Sequence, residues 1–288
     1  MDERAALADL ADRLPDAGDD CAVVDGQVIT TDMLHERTDF PAGTTRYTAG
    51  WRAVGASLSD VAAMGADATA AVAAYGAPSF EADELAAFLD GAQDVCHAVD
   101  AEYVGGDLDS HDEFTVATTA IGAAADPVRR SGATPGDAVC VTGTLGRSAA
   151  ALELFDRGET ARANELFQFE PRVRAGISLR PHATAMMDSS DGLARSLHQL
   201  AEASGCGFAV EEPLPIDPQV DELTDTPQER RELGVFFGED FELVSTVPES
   251  DVQEARQAVP CQLHRIGTVT DGGVTLDGEA LPDRGYSH

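Results

Sequence analysis

Two aspartates that lie three residues apart are the first candidates for chemistry in this sequence. Asp188 and Asp191 are the only acids between Pro171 and Ala201, although 52 of the 288 residues are acidic. A carboxylate buried without a partner costs several kcal/mol, roughly, so such an acid needs a basic partner or a cation. Basic partners are scarce here, and the pair therefore indicates a site that binds a cation.

Five other short motifs carry acids, nearly all of them beside glycine or serine, which let a ligand approach the backbone closely. Asp60 is the clearest case, since Arg52 is the only other charged residue from Tyr47 to Ala66. Magnesium prefers carboxylate oxygens and often shares a substrate phosphate, so the set predicts a magnesium centre. Its candidates are Asp19, Asp20, Asp32, Asp60, Asp107, Asp188, Asp191, Glu239 and Asp240.

Taken singly, these acids have ordinary structural explanations. Asp191 could cap the helix that begins near Leu193, Asp60 could be a polar break in an alanine-rich helix, and Asp20 could be a surface acid. Separate structural roles do not explain the small residue beside nearly every acid, and this recurrence favours the magnesium centre.

A glycine-rich turn in the second half of the chain is a weaker candidate for binding phosphate. The segment VTGTLGRSAAAL (141–152) is typical of a strand, a turn and the start of a helix, and backbone N–H groups in such a turn can bind phosphate. Arg130 and Arg147 flank it and could contact phosphate oxygens. A tight turn with both arginines on the surface explains the same residues without a ligand.

The residue types that are missing exclude other reaction classes. The chain contains no lysine, so a Schiff-base lysine and a P-loop lysine are ruled out. The seven histidines form no HxxH or HExxH motif and no GxSxG occurs, which argues against zinc sites and hydrolase triads. The motifs alone therefore predict a magnesium-dependent enzyme that acts on phosphate groups.

The net charge of −33 limits the expected partners and surroundings. An acidic surface repels nucleic acid and anionic lipid, so neither is an expected partner. This charge is typical of adaptation to a salt-rich cytoplasm, where screening weakens self-repulsion. The five scattered cysteines indicate free thiols, the N-terminus does not resemble a signal peptide, and no apolar run reaches the ~20 residues of a membrane span. We therefore expect a cytoplasmic protein.

Hydrophobic spacing and turn signals predict the elements that would position these acids. Residues 126–137 are rich in proline, glycine and charge and are the predicted boundary between domains 1–126 and 127–288. The order of elements predicts two domains of α/β and α+β class. Strands are predicted over 21–24, 27–32, 68–75, 113–124, 138–143, 184–187, 242–247 and 262–269, with a short one ending in YVGGD; helices are predicted over 2–14, 47–64, 81–99, 147–157, 171–180 and from Leu193, and segment 217–232 is expected to be an exposed loop or helix.

In their order along the chain, the motifs resemble those of the thiamine-monophosphate kinase family. They are GDDCAVV, ITTDML, SLSDVAAMGA, YVGGD, RRSGATPGDAVCVTGTLG, DSSDGLARSL, GEDFELVSTV, IGTV and RGY, which together span residues 15–286. The resemblance implies the two-domain fold of the aminoimidazole ribonucleotide synthetase superfamily and ATP-dependent phosphorylation of thiamine monophosphate to thiamine diphosphate. It also implies several Mg²⁺ ions and a homodimer whose N-terminal sheets pair into a barrel.

The same resemblance implies roles for particular residues. The implied metal ligands are Asp20, Thr30, Thr31, Asp32, Asp60, Asp107, Asp188 and Asp191, of which Asp107 and Asp191 would be catalytic. The implied ATP contacts are Gly106, Asp107, Arg130 and Ser190, and the implied substrate contacts are Asp39, Glu239 and Tyr286. Two positions depart from the family pattern, because Asp39 stands where the family often has histidine and Ser57 where it usually has asparagine.

Two other functions fit the sequence. Another ATP-using enzyme of the superfamily, of the aminoimidazole ribonucleotide synthetase type, would share these motifs. A non-catalytic protein that binds nucleotide or divalent cations would share the fold and the acids. Selenophosphate synthetase fits less well, because no cysteine-bearing loop precedes the GDD motif.

Overall fold

The first half of the chain forms a five-stranded sheet of order β1-β2-β5-β3-β4. The computed structural model describes Leu14 and residues 18–286, so the helix predicted over 2–14 lies outside the described residues apart from Leu14. Strands β3 and β4 pair in parallel, and the other neighbours are antiparallel. The elements are β1 (Ala22–Val24), β2 (Gln27–His35), α1 (Glu36–Asp39), α2 (Arg46–Ala63), β3 (Asp67–Ala77), α3 (Ala82–Ala98), β4 (Glu102–Ser110) and β5 (Thr115–Ala123).

Helix α2 carries part of the candidate site and packs across strands β2, β3 and β5. Val54, Leu58 and Val61 recur along one side of the helix and are fully buried against the sheet. Helix α3 approaches α2 closely because Gly50 and Gly91 lack a side chain. A Cβ at either glycine would lie within 2.2 Å of a backbone oxygen of the facing helix, so the small residues fix this crossing.

The second half forms a seven-stranded sheet of order β12-β11-β8-β10-β6-β9-β7. Every residue of β6 and β9 is buried, as expected for strands covered on both faces. Its elements are β6 (Ala138–Thr142), α4 (Arg147–Asp156), α5 (Thr160–Phe167), α6 (Val173–Leu179), β7 (Ala185–Asp188), α7 (Leu193–Ser204), β8 (Gly207–Val210), α8 (Pro218–Leu223), α9 (Pro227–Arg231), a π-helical turn (Glu232–Phe236), β9 (Leu243–Val247), α10 (Val252–Ala258), β10 (Leu263–Thr270), β11 (Val274–Leu276) and β12 (Glu279–Ala280).

The predicted class of mixed α/β architecture is confirmed, and each element predicted within residues 18–286 is present. The sequence did not indicate α1, α5, α10, β8, β11 or β12, and segment 217–232 forms two short helices that lead into the π-helical turn. Residues 126–137 connect the two sheets, while the domain limits 1–126 and 127–288 stay a prediction. Among the described helices, none combines the length and apolar character that crossing a membrane requires.

Candidate active site

Three of the predicted acids converge from distant parts of the chain. Asp20 precedes strand β1, Asp60 lies in the last turns of helix α2, and Asp188 ends strand β7. One carboxylate oxygen from each residue lies within 4.8 Å of the other two. Asp20 and Asp188 are buried, and Asp60 is partly buried. We call these three residues the acid triangle; it joins the two sheets of the protein.

Hydroxyl groups hold the carboxylates of the acid triangle in place. Thr30 Oγ1 donates a hydrogen bond of 2.5 Å to Asp60 Oδ2, and Ser59 Oγ donates one of 2.6 Å to Asp188 Oδ2. Because side chains alternate along a strand, Thr30 and Asp32 lie on the same face of β2. Asp32 is the next acid along and accepts a hydrogen bond of 2.7 Å from Ser57 Oγ.

Arg130 supplies a positive charge beside the acid triangle. Its Nη2 donates to Asp20 Oδ1 at 2.8 Å and its Nε donates to Asp20 Oδ2 at 3.2 Å. The neighbouring Arg129 contacts Asp19 through one hydrogen bond, from Nη1 to Oδ2 at 2.6 Å. The two arginines therefore connect the GDD loop to the segment between the sheets. Arg130 is bound to Asp20 and is also a candidate for binding phosphate oxygens.

Burial and the charges of neighbouring acids oppose ionisation of Asp60 and Asp188. Burial, with the charge of Asp20 adding to it, raises the pKa of Asp188 to about 8. Burial also raises the pKa of Asp60 well above its ordinary value, and the charges of Asp32, Asp188 and Asp20 raise it further. A divalent cation between these oxygens would offset the repulsion. The close spacing of hard oxygen donors therefore fits a Mg²⁺ ion.

Other predicted ligands lie outside the acid triangle. Thr31 points to the opposite face of β2 and donates to the Thr118 carbonyl at 2.8 Å. Asp107 and Gly106 lie on the exposed edge strand β4, where Asp107 pairs in register with Ala74. They line a cavity of about 430 Å³. The structure thus brings Asp20, Thr30, Asp32, Asp60 and Asp188 together and leaves Thr31, Gly106 and Asp107 at the outer face and edge of the sheet.

The DSSD turn follows Asp188 and carries the remaining predicted residues of this segment. The N-cap residue of helix α7 is Gly192, one residue after Asp191. The Asp191 carbonyl accepts from the backbone N–H of Tyr286 at 3.1 Å, and the Ser190 carbonyl accepts from that of Glu239. The turn thereby links the acid triangle to the second group of predicted residues.

The three predicted substrate contacts line one cavity. Asp39, Glu239 and Tyr286 surround a space of about 170 Å³, together with Phe167, Phe237 and Arg37, which is itself paired with Glu113 at 3.7 Å. The buried Asp39 accepts hydrogen bonds from the His35 N–H at 2.6 Å and from Thr38 Oγ1 at 2.8 Å. Tyr286 packs against Phe237 with ring centroids 4.9 Å apart. We call this space the acidic cavity; two carboxylates and aromatic rings suit a cationic, flat ligand.

Asp240 and Arg147 have structural roles that the sequence did not reveal. The Asp240 carboxylate accepts from the backbone N–H groups of Gly146 and Ser148, at 2.5 and 3.0 Å. These N–H groups belong to the glycine-rich turn, so they are already bound and the predicted phosphate cradle is not supported there. Arg147 Nε donates to the Leu166 carbonyl at 2.9 Å, near the end of helix α5.

Replacing Asp240 with alanine is expected to destabilise the protein by about 2 kcal/mol, since two buried N–H groups lose their acceptor. Asparagine keeps one acceptor oxygen, and we expect about half of that loss. Urea unfolding in high salt measures the change. Asp112→Asn is the matched control, because it removes the same charge from an exposed residue. Equal stability of the alanine variant and this control would contradict the assigned role.

The two halves of the chain match the two domains of a known protein family. Residues 18–124 match the family described as AIR synthase related protein, N-terminal domain, and residues 134–278 match its C-terminal domain. The thiamine-monophosphate kinase of Halobacterium salinarum is 65% identical and covers 100% of both chains. This chain belongs to the thiamine-monophosphate kinase family. The family member of Methanospirillum hungatei is 42% identical over 94% of this chain and 92% of its own.

Solved structures of the thiamine-monophosphate kinase family share the fold over nearly the whole chain. The structure of AaThiL complexed with AMPPCP and TMP has a TM-score of 0.89 at 28% identity, covering 99% of this chain and 96% of that chain. The kinase from Stenotrophomonas maltophilia has a TM-score of 0.82 at 30% identity, covering 96% of each chain. The family resemblance of the motifs is thereby confirmed.

Proposed function

We propose that this chain transfers the terminal phosphoryl group of ATP to thiamine monophosphate, giving thiamine diphosphate and ADP. The acid triangle carries the proposal, because Asp20, Asp60 and Asp188 come together from three segments within 4.8 Å in a chain of the thiamine-monophosphate kinase family. The same family includes AaThiL, which was solved complexed with AMPPCP and TMP. The acidic cavity supplies a second surface, suited to the thiazolium end of the acceptor.

The acceptor needs no general base. A phosphate monoester has a second pKa of about 6, so near pH 7 it is mostly a dianion and already nucleophilic. This agrees with the absence of histidine from the described acid triangle. Direct in-line transfer, without a phosphorylated protein intermediate, therefore accounts for the reaction. Trapping a phosphorylated form of the protein would contradict direct transfer.

The difficulty of the reaction is electrostatic, since two polyanions meet on a protein of charge −33. Asp20, Asp60 and Asp188 would hold Mg²⁺, with Asp32 and Thr30 beside them. When bound, Mg²⁺ neutralises phosphate oxygens and stabilises charge on the transferred group. Thr30, Ser57 and Ser59 keep the carboxylates oriented. The guanidinium group of Arg130, which is bound to Asp20, would supply a positive charge for phosphate oxygens.

The remaining ligand and ATP roles stay predictions on this chain. Asp191 and Ser190 lie in the turn after Asp188, close to the acid triangle along the chain. Thr31, Gly106 and Asp107 lie on the outer face and edge of the first sheet, and a second subunit covering that face would place them at an interface. A cytoplasmic location also stays a prediction.

We propose a homodimer formed through the first sheet, with the two sheets closing into a barrel. Support comes from large apolar side chains that are exposed on that sheet: Met33 on β2, Val72 on β3, and Val104 and Leu108 on β4. Exposed apolar side chains that gather on one face are typical of protein–protein interaction sites. Sedimentation velocity in high salt should give about twice the 30.2 kDa mass of one chain; a monomer would contradict the proposal.

The activity is tested by incubating the protein in high salt with ATP, Mg²⁺ and thiamine monophosphate. Thiamine diphosphate and ADP, separated by chromatography, should appear in equal amounts and only with Mg²⁺. Turnover only with a purine precursor would favour an enzyme of the aminoimidazole ribonucleotide synthetase type. Tight ATP binding without any product would favour a binding protein.

A further inference from the structure

Arg52 is a fully buried cation in a segment almost free of charge, and no role in the reaction has so far been assigned to it. Its side chain is 0% exposed, and it lies two turns before Asp60 on helix α2. An arginine at such a depth must be paired, because an isolated buried charge is strongly unfavourable. The identity of its partners therefore indicates its purpose.

The guanidinium group of Arg52 reaches across to the second half of the chain. Nη1 donates to the Phe167 carbonyl at 2.8 Å. Nη2 donates to Glu239 twice, to the side-chain Oε2 at 2.6 Å and to the backbone carbonyl at 3.1 Å. The group also lies 3.6 Å from the centre of the Phe167 ring. Phe167 and Glu239 both line the acidic cavity. Arg52 therefore contacts two of the residues that form the cavity from the buried side.

Glu239 is held in a backbone conformation that glutamate rarely adopts. Its φ is +61°, between Gly238 at +87° and Phe241 at +54° two residues later. Ser148 Oγ donates to its carbonyl at 2.6 Å, and its N–H donates to Ser190. Strained conformations persist where the surroundings determine them, and they are concentrated at functional sites. Here the result is a carboxylate fixed at the wall of the acidic cavity.

We propose that Arg52 is a positioning residue that fixes Glu239 as the selector for a cationic ring in the acidic cavity. The proposal rests on the proposed function and deepens it, since the acceptor carries a thiazolium cation. Arg52 does not contact the ligand itself. The guanidinium group of Arg52 donates to the Phe167 carbonyl and to Glu239 while its planar face lies over the Phe167 ring. A lysine ammonium group cannot make these three contacts at once.

The test compares Arg52→Gln, Arg52→Lys, Glu239→Gln and the double variant Arg52→Gln/Glu239→Gln in steady-state kinetics. Arg46→Gln is the matched control, because Arg46 lies on the same helix and also combines ion pairs with an aromatic face, at Glu36, Glu84 and Phe114. The acceptors are thiamine monophosphate and its analogue in which a neutral thiophene replaces the thiazolium ring.

Arg52→Gln should raise the KM for thiamine monophosphate by at least about 30-fold, the usual effect of breaking a buried charge pair, and should leave the KM for ATP within about two-fold. We expect the wild-type protein to prefer the cationic acceptor by about ten-fold or more in kcat/KM. This preference should fall toward unity in Arg52→Gln and Glu239→Gln, remain partly in Arg52→Lys, and be unchanged in Arg46→Gln. The double variant should lose no more kcat/KM for thiamine monophosphate than Glu239→Gln alone, because Arg52 acts through Glu239.

Three results would overturn the proposal. The first is an unchanged preference for the cationic acceptor in Glu239→Gln, and the second is a loss of kcat/KM in the double variant equal to the product of the two single losses. The third is an equal loss of preference in Arg46→Gln. If Arg52→Gln does not fold, the double variant decides, because it leaves neither charge unpaired. If the wild-type protein forms no thiamine diphosphate, the proposed function fails. Calorimetric affinities for the two acceptors then test Arg52 independently.

Discussion

Asp188→Asn is expected to lower turnover about a thousand-fold, equivalent to about 4 kcal/mol of transition-state stabilisation. Asparagine has nearly the same shape and keeps an oxygen for the hydrogen bond from Ser59, but it removes one charge from the acid triangle. Calorimetry should show weaker Mg²⁺ binding, and product analysis should show the loss of thiamine diphosphate.

The same substitution is expected to stabilise the metal-free protein. Because the pKa of Asp188 is raised to about 8 by burial and by Asp20, the folded state holds a proton that the unfolded state has released above about pH 4. The contribution of Asp188 to the stability of the metal-free wild-type protein therefore falls as pH rises from about 4 to about 8 and levels off above that range. Near pH 8 in EDTA, the variant should be more stable by about 1–3 kcal/mol.

Urea unfolding in EDTA at several pH values, in constant high salt, measures this gain. The exposed Asp112→Asn variant is the control for loss of one charge from an acidic surface. An Asp188→Asn variant that is inactive and also less stable than wild type would indicate a structural role for the carboxylate. A variant with wild-type turnover would remove Asp188 from the site.

Salt is expected to have the second large effect. With 52 acids, 19 arginines and a net charge of −33, self-repulsion opposes the folded state at low ionic strength. The screening length falls from about 8 Å at physiological salt to about 3 Å at 1 M. We expect the midpoint of thermal unfolding to rise by about 15 °C or more between about 0.2 M and 2 M KCl.

Differential scanning calorimetry in KCl gives the midpoints, and a parallel series in sucrose is the control. Sucrose favours the compact state by exclusion from the surface but does not screen charge. A similar rise of the unfolding midpoint in KCl and in sucrose would show that exclusion of the solute from the protein surface causes the effect. A midpoint that does not change with KCl would show that self-repulsion is not important for this fold.

Local sequence context was enough to single out two of the three residues of the acid triangle. Asp60 and Asp188 stand out because their segments have few other acids, and an acid in such a segment must be matched by a partner or a cation. Strand periodicity also explains why Thr31 does not join them: side chains alternate, so Thr30 and Asp32 share one face and Thr31 takes the other. That separation could have been predicted from ITTD alone.

The roles of Asp240 and Arg52 could not be predicted in the same way. Asp240 follows Glu239 directly in the sequence, yet the two carboxylates have different roles. Because the backbone is left-handed at Gly238 and Glu239, Asp240 binds N–H groups at the start of helix α4 while Glu239 lines the acidic cavity. Arg52 was visible as the lone basic residue of its segment, but its partners lie more than a hundred residues away. Helix α5, which brings Phe167 to the acidic cavity, is too short to be stable without tertiary packing.

The most direct test of the account is the position of a bound metal. Crystals grown with Mn²⁺, a non-hydrolysable ATP analogue and thiamine monophosphate would reveal the ion by its anomalous scattering. We expect a Mn²⁺ peak among the oxygens of Asp20, Asp60 and Asp188, with analogue phosphate oxygens beside it and the thiazolium ring in the acidic cavity beside Glu239. Bound nucleotide with Mn²⁺ held elsewhere, and the acid triangle without metal, would contradict it.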